Sequence, residues 1–169
     1  MWAPYPWMQN RNLYWALGGL LALALIYYWM MRKKAVTLVN GLMLRRGCDS
    51  GGCGEFGASR EGGKRRHNGF DILATPGNPV YAPRAGTITR HIDPYGDGGS
   101  YGGVELKTEA EVWKIMYMQP AVQPGAKVIA GQMIGTAQDV SRKYASVKPH
   151  LHIEVWVNGV AVNPEPYLF

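Results

Sequence analysis

His150-Leu151-His152-Ile153-Glu154-Val155-Trp156-Val157 alternates polar and apolar side chains over its first six positions. A period of two is what a β-strand with one buried face imposes. Leu151, Ile153 and Val155 then face a core, and His150, His152 and Glu154 share the opposite side. Imidazoles two residues apart on a strand lie about 7 Å from each other, close enough to approach one site. Neutral imidazoles and carboxylates are ordinary zinc ligands, and a catalytic zinc takes three from the protein and leaves a fourth position to water.

Upstream, the chain from residue 71 onward reads as more short strands of this kind. The β-rich runs are Asp71–Ala74, Pro79–Ala82, Gly86–His91, Gly103–Lys107, Val112–Met118, Lys127–Ala130 and Gln132–Thr136. Pro76-Gly77-Asn78, 83–86, 93–99 and Pro124-Gly125 punctuate them as turns. No stretch beyond residue 35 sustains a 3.6-residue period. The expected fold class is therefore all-β: a compact antiparallel β-sheet or barrel-like sandwich. Two segments, 79–88 and 122–135, repeat one order of apolar run, turn, glycine and second apolar run. Ordinary hairpin grammar and a duplication both fit that repeat.

A second histidine motif opens the β region. His67-Asn68-Gly69-Phe70-Asp71 is H-x-G-x-D, and a pattern so short means little alone. Combined with H-x-H-x-E in one small β domain, it gains weight as the rest of a metal site. Rival zinc signatures are missing: there is no H-E-x-x-H, and no H-x-E followed by P-C-x-x-C. His91 joins no motif and reads as a surface histidine. Glu154 reads either as a partner orienting an imidazole or as a solvated carboxylate.

The amino-terminal part is of another kind. Residues 12–31 carry no formal charge, and as a helix they would span about 30 Å, the thickness of a bilayer core. Trp2, Tyr5, Trp7, Tyr14 and Trp15 crowd one end, and Tyr27, Tyr28 and Trp29 the other, like two interfacial belts. No small-residue cleavage site follows, so an uncleaved single anchor is expected rather than a signal peptide. Residues 1–11 are its flank and 32–47 a basic stalk, leaving 48–169 as the folded domain. Net charge is +6, but residues 1–34 hold four basic groups and no acid. The remainder has 14 basic against 12 acidic groups, which argues against a nucleic-acid partner.

Orientation is contested within the sequence. Arg32, Lys33 and Lys34 behind the span favour a cytoplasmic domain by the positive-inside rule. Cys48 and Cys53, the two cysteines, are too few for a structural zinc knuckle. They read as a local disulfide, which belongs to an oxidising compartment, or as a pair of reduced thiols. Residues 48–66 show no period and read as an irregular loop. The run Lys64-Arg65-Arg66 could attract an anionic polymer or be a solvated face.

His67-x-Gly69-x-Asp71 followed by His150-x-His152, with the two similar β segments between, resembles the lysostaphin/LytM-type zinc endopeptidases. The likeness covers roughly residues 66–158. Cys48-Asp49-Ser50-Gly51-Gly52-Cys53-Gly54, Val80-Tyr81-Ala82-Pro83 and Lys114-Ile115-Met116-Tyr117-Met118-Gln119-Pro120 are similar to the leukocyte cell-derived chemotaxin branch. The resemblance implies a duplicated β fold, a disulfide between Cys48 and Cys53, and zinc held by His67, Asp71 and His152. It implies His150 as the histidine beside the activated water. It also implies a second catalytic histidine on a central strand, where this chain has Tyr117, as in the chemotaxin branch.

The function so implied is a membrane-anchored, zinc-dependent peptidoglycan endopeptidase that hydrolyses cell-wall peptide crosslinks. The alternative is a zinc-binding pseudo-enzyme serving as a peptidoglycan- or protein-binding module. The partners are peptidoglycan and, through residues 12–31, a lipid bilayer. One setting is the bacterial inner membrane with the domain in the periplasm. The other is the internal membrane of a phage virion, where the protein would be an entry lysin.

Overall fold

The computed structural model describes Gly19 and residues 36–169. The expected flank 1–11 and, Gly19 apart, the expected span 12–31 lie outside the described residues. Among the described residues no helix is long and apolar enough to cross a membrane.

The described chain opens with two small hairpins, β1 (Cys48–Asp49) with β2 (Gly52–Cys53), and β3 (Ser59–Arg60) with β4 (Arg65–Arg66). Then follow β5 (Phe70–Leu73), β6 (Pro79–Tyr81), β7 (Gly86–Ile92), β8 (Gly103–Lys107), β9 (Val112–Met116), β10 (Met118–Pro120), β11 (Lys127–Val128), β12 (Met133–Ala137), β13 (His150–Val157) and β14 (Val160–Val162). A four-residue helix, α1 (Glu165–Leu168), ends the chain. The all-β antiparallel reading is borne out. The main sheet has seven strands in the order β11-β7-β8-β9-β13-β14, with β5 also on β13, and a second sheet runs β10-β12-β6.

Both sheets feed one core. Leu106, Trp113, Ile115, Leu151 and Ile153 come from the main sheet, Val80, Met118 and Ile134 from the smaller one, and all are fully buried. Each such side chain contributes about 1.5–3 kcal/mol by leaving water. Leu151, Ile153 and Val155 are wholly buried, so β13 faces the way its alternation requires. Phe169 caps the core edge-on against Phe70 at 6.0 Å.

The two similar segments are partners. Strand β6 of the first pairs with β12 of the second, and β7 of the first pairs with β11 of the second. Each segment pairs its strands with those of the other and not within itself, so neither is a separate hairpin.

Three expectations change. Residues 48–66, expected as an irregular loop, form the first two hairpins; strands of two residues are too short to show a period. The run 112–118 is not one strand, because Tyr117 has φ +65° and divides β9 from β10. A non-glycine residue in the left-handed region costs about 1–3 kcal/mol, so the surroundings hold it there. The described part of the expected stalk, residues 36–47, packs on the domain. Leu38 and Val39 are buried, Val39 bridges to Val80, and Arg45 bridges to Ile72.

Candidate metal centre

β13 lies between β9 and β5, and its register sets the site. His152 stands opposite Asp71 of β5 on one side and Met116 of β9 on the other. His67 arrives just before β5, its N–H bonded to the Ala58 carbonyl at 2.9 Å. Gly69 explains the glycine of H-x-G-x-D. A Cβ there would sit 2.5 Å from the Ile153 carbonyl and 2.6 Å from the His152 ring, so only glycine lets the loop reach β13.

His67, Asp71 and His152 converge, each offering one ligand atom within 4.8 Å of the others. His67 Nε2 is 2.9 Å from His152 Nδ1, His152 Nδ1 is 3.0 Å from Asp71 Oδ1, and His67 Nε2 is 3.4 Å from Asp71 Oδ1. Ligand atoms about 2.0–2.2 Å from one tetrahedral zinc would be about 3.3–3.5 Å apart. The donor set and its spacing fit a divalent ion with small adjustment.

The next layer fixes how the rings are protonated. His67 Nδ1 faces the Glu55 carbonyl at 2.8 Å and must carry its proton there, which leaves Nε2 free toward Asp71. His152 Nε2 faces Glu154 Oε1 at 3.4 Å, leaving Nδ1 toward the same carboxylate. Glu154 is itself held, by Trp156 Nε1–H at 2.7 Å and by Lys114 at 3.2 Å. It is an orienting partner and not a solvated carboxylate. Burial opposes charge on Glu154 and Asp71, but hydrogen bonds override it. Those from His152 and Trp156 bring Glu154 down to about 2, and that from His152 holds Asp71 well below the carboxylate range. Burial also opposes charge on His152, yet Asp71 and Glu154 prevail and push it up to about 9.

His150 stands beside the three. Its Nδ1–H donates to the Lys148 carbonyl at 2.6 Å, so Nε2 carries the lone pair, 3.8 Å from Asp71 Oδ2. Burial lowers its pKa, which keeps the ring neutral at physiological pH. The Tyr117 ring meets His150 edge-on at 5.1 Å between centroids and lies 6.4 Å from the His152 ring. Burial raises the Tyr117 phenol, so it keeps its proton. Tyr95 donates to its hydroxyl oxygen at 3.3 Å, leaving the Tyr117 proton free for another acceptor.

Four further residues complete the picture. Cys48 and Cys53 are joined by a disulfide across the first hairpin. His91 is exposed, as expected. Arg46 is buried with Nη1 3.0 Å from Asp71 Oδ2. In the sequence it belongs to a basic run after an apolar span, and no motif marks it.

Residues 65–164 match the sequence profile of Peptidase family M23. Leukocyte cell-derived chemotaxin-2 from Mus musculus is 33% identical over 124 residues, which is 73% of this chain and 78% of that protein. The DD-carboxypeptidase/endopeptidase Mpg of Neisseria meningitidis is 34% identical over 102 residues, 59% of this chain but only 22% of Mpg. Among solved structures, the catalytic domain of the antimicrobial peptidase lysostaphin from Staphylococcus simulans superposes with a TM-score of 0.52 at 30% identity. That match covers 70% of this chain and 90% of that domain.

Proposed function

The chain belongs to Peptidase family M23, and from that membership we propose that it is a zinc-dependent endopeptidase that hydrolyses peptide crosslinks of peptidoglycan. The convergence of His67 Nε2, Asp71 Oδ1 and His152 Nδ1 carries this reading. These three would hold the ion, which when bound supplies Lewis acidity that activates water near neutral pH and polarises a carbonyl. The residues around it divide the remaining work. Asp71 provides the negative charge, and the Glu55 carbonyl and Glu154 keep both ligand imidazoles in the orientation a cation needs. His150, neutral and with Nε2 free of a proton, is the acceptor for the proton that the nucleophilic water gives up. Tyr117 donates its phenolic proton in a hydrogen bond to the oxygen that gains charge as the peptide carbonyl becomes tetrahedral. As a proton acceptor it would be poor at neutral pH, because its pKa lies above the ordinary 10.

One observation favours a second reading. Tyr117 stands where the resemblance to catalytic members implies another histidine. A zinc-binding module without hydrolytic activity would keep the ligands and tolerate this exchange. The two readings separate in one assay. The full chain added to purified cell walls should reduce their turbidity, and His152→Ala should abolish the effect. Binding to walls without loss of turbidity would favour the second reading.

The setting belongs to the same proposal. Residues 12–31 anchor the protein in a bilayer, and the bacterial inner membrane with the domain in the periplasm accommodates both the substrate and the Cys48–Cys53 disulfide. The internal membrane of a phage virion is the alternative, and the basic Arg32, Lys33 and Lys34 favour it.

A further inference from the structure

Arg46 is a buried cation that the mechanism above does not use. It is 4% exposed, and a guanidinium is removed from water at that depth only with compensating partners. Nη1 donates to Asp71 Oδ2 at 3.0 Å and to His150 Nε2 at 3.3 Å. Nη2 donates to Asp49 Oδ1 at 2.8 Å and to the Gly52 carbonyl. The two nitrogens of one planar fork therefore serve two different places: the candidate metal centre and the disulfide-closed hairpin.

The hairpin side is itself anchored. Asp49 Oδ2 accepts the Lys148 N–H at 3.0 Å, and the Lys148 carbonyl accepts the His150 Nδ1–H. Gly54 follows the hairpin and lies against Asp71: a Cβ at Gly54 would be 2.9 Å from the Asp71 Cβ. The Asp71 N–H donates to the Gly54 carbonyl at 2.8 Å. Asp71 thus has its two oxygens assigned to different partners. Oδ1 faces His67 and His152, and Oδ2 faces Arg46. A carboxylate without that restraint could turn about its Cβ–Cγ bond and offer a cation either oxygen, or both.

We propose that Arg46, anchored by the Cys48–Cys53 hairpin, is a positioning residue: it fixes Asp71 so that one oxygen is presented to the divalent ion. The inference rests on His67, Asp71 and His152 being the ligands. Lysine cannot replace the fork, because its single ammonium cannot span Asp71 and Asp49 in one plane.

Zinc affinity by chelator competition and the cobalt(II) absorption spectrum test this on the full chain, as wild type, Arg46→Lys and Asp49→Asn. Arg46→Lys should bind zinc about 10- to 100-fold more weakly. Its cobalt complex should absorb with altered band positions or intensity, because the carboxylate is free to change its mode of binding. A role confined to bracing the hairpin predicts a lower melting temperature with wild-type affinity and an unchanged cobalt spectrum in the folded protein, and that result overturns the proposal. Should Arg46→Lys not fold, Asp49→Asn decides by the same readouts, since it leaves Arg46 its charge and takes the charge from its anchor. Wild-type protein that takes up neither zinc nor cobalt would overturn the ligand assignment itself, whatever Arg46 does.

Discussion

His152 has a carboxylate at each ring nitrogen, Asp71 at Nδ1 and Glu154 at Nε2. Its pKa rises from an ordinary 6.5 to about 9 as a result. The sign of the linkage follows. In the metal-free protein this charged cluster stabilises the fold fully below about pH 6.5, and the contribution fades as pH rises through about 9. Metal binding runs the other way, because the proton on Nδ1 competes with the ion for the same lone pair. Zinc affinity measured between pH 6 and 8 should therefore rise about tenfold per pH unit on account of His152 alone, with about one proton released per ion bound. Calorimetry in buffers of different ionisation enthalpy counts that proton. An affinity flat across the range would show that His152 is not a ligand. At this scale the sequence is most legible where chemistry and spacing coincide. The alternation of β13 and the H-x-G-x-D spacing name His67, Asp71, His150 and His152, and Gly69 has a steric reason visible only in three dimensions. Arg46 could not be read, because an arginine among arginines acquires its role only when folding brings Asp71 to it.

Among the elements, the segment 36–47 departs furthest from expectation. It reads as a stalk because it follows the basic Arg32-Lys33-Lys34 and sustains no period, yet it lies along the domain. The Tyr81 N–H donates to the Leu38 carbonyl, the Leu73 N–H to the Leu44 carbonyl, and the Arg46 N–H to the Asp71 carbonyl. These are isolated contacts to two different strands, β6 and β5, so no periodic pattern could announce them. Leu38 and Val39 together contribute about 3–5 kcal/mol of burial, and Arg46 neutralises buried carboxylates. A fragment starting at Cys48 should melt roughly 10 °C or more below one spanning residues 36–169. Thermal unfolding by circular dichroism checks this, and fragments melting within about 2 °C of each other would mean that the segment is dispensable. The strands from β5 to β13 are legible from alternation and turn residues, whereas β1–β4 and β14 are not. The break at Tyr117 is not legible either, since Val112–Met118 keeps an unbroken β composition and only the left-handed backbone at one residue divides it.

The whole molecule joins a charge-free amino-terminal segment to an all-β domain of Peptidase family M23. The disulfide favours a periplasmic domain and the basic residues after the span favour the opposite side. Protease added to intact spheroplasts should cleave the domain, and protection from it would favour the phage-membrane setting. Neither arrangement alters the claim on which the function depends, that one divalent ion is shared by His67, Asp71 and His152. Metal analysis of the purified full chain, alongside His67→Ala and Asp71→Asn, tests that claim most directly. About one zinc per wild-type chain is expected, with most of it lost in either variant. Wild-type protein that retains no zinc when it is supplied, or variants that hold as much as the wild type, would contradict it.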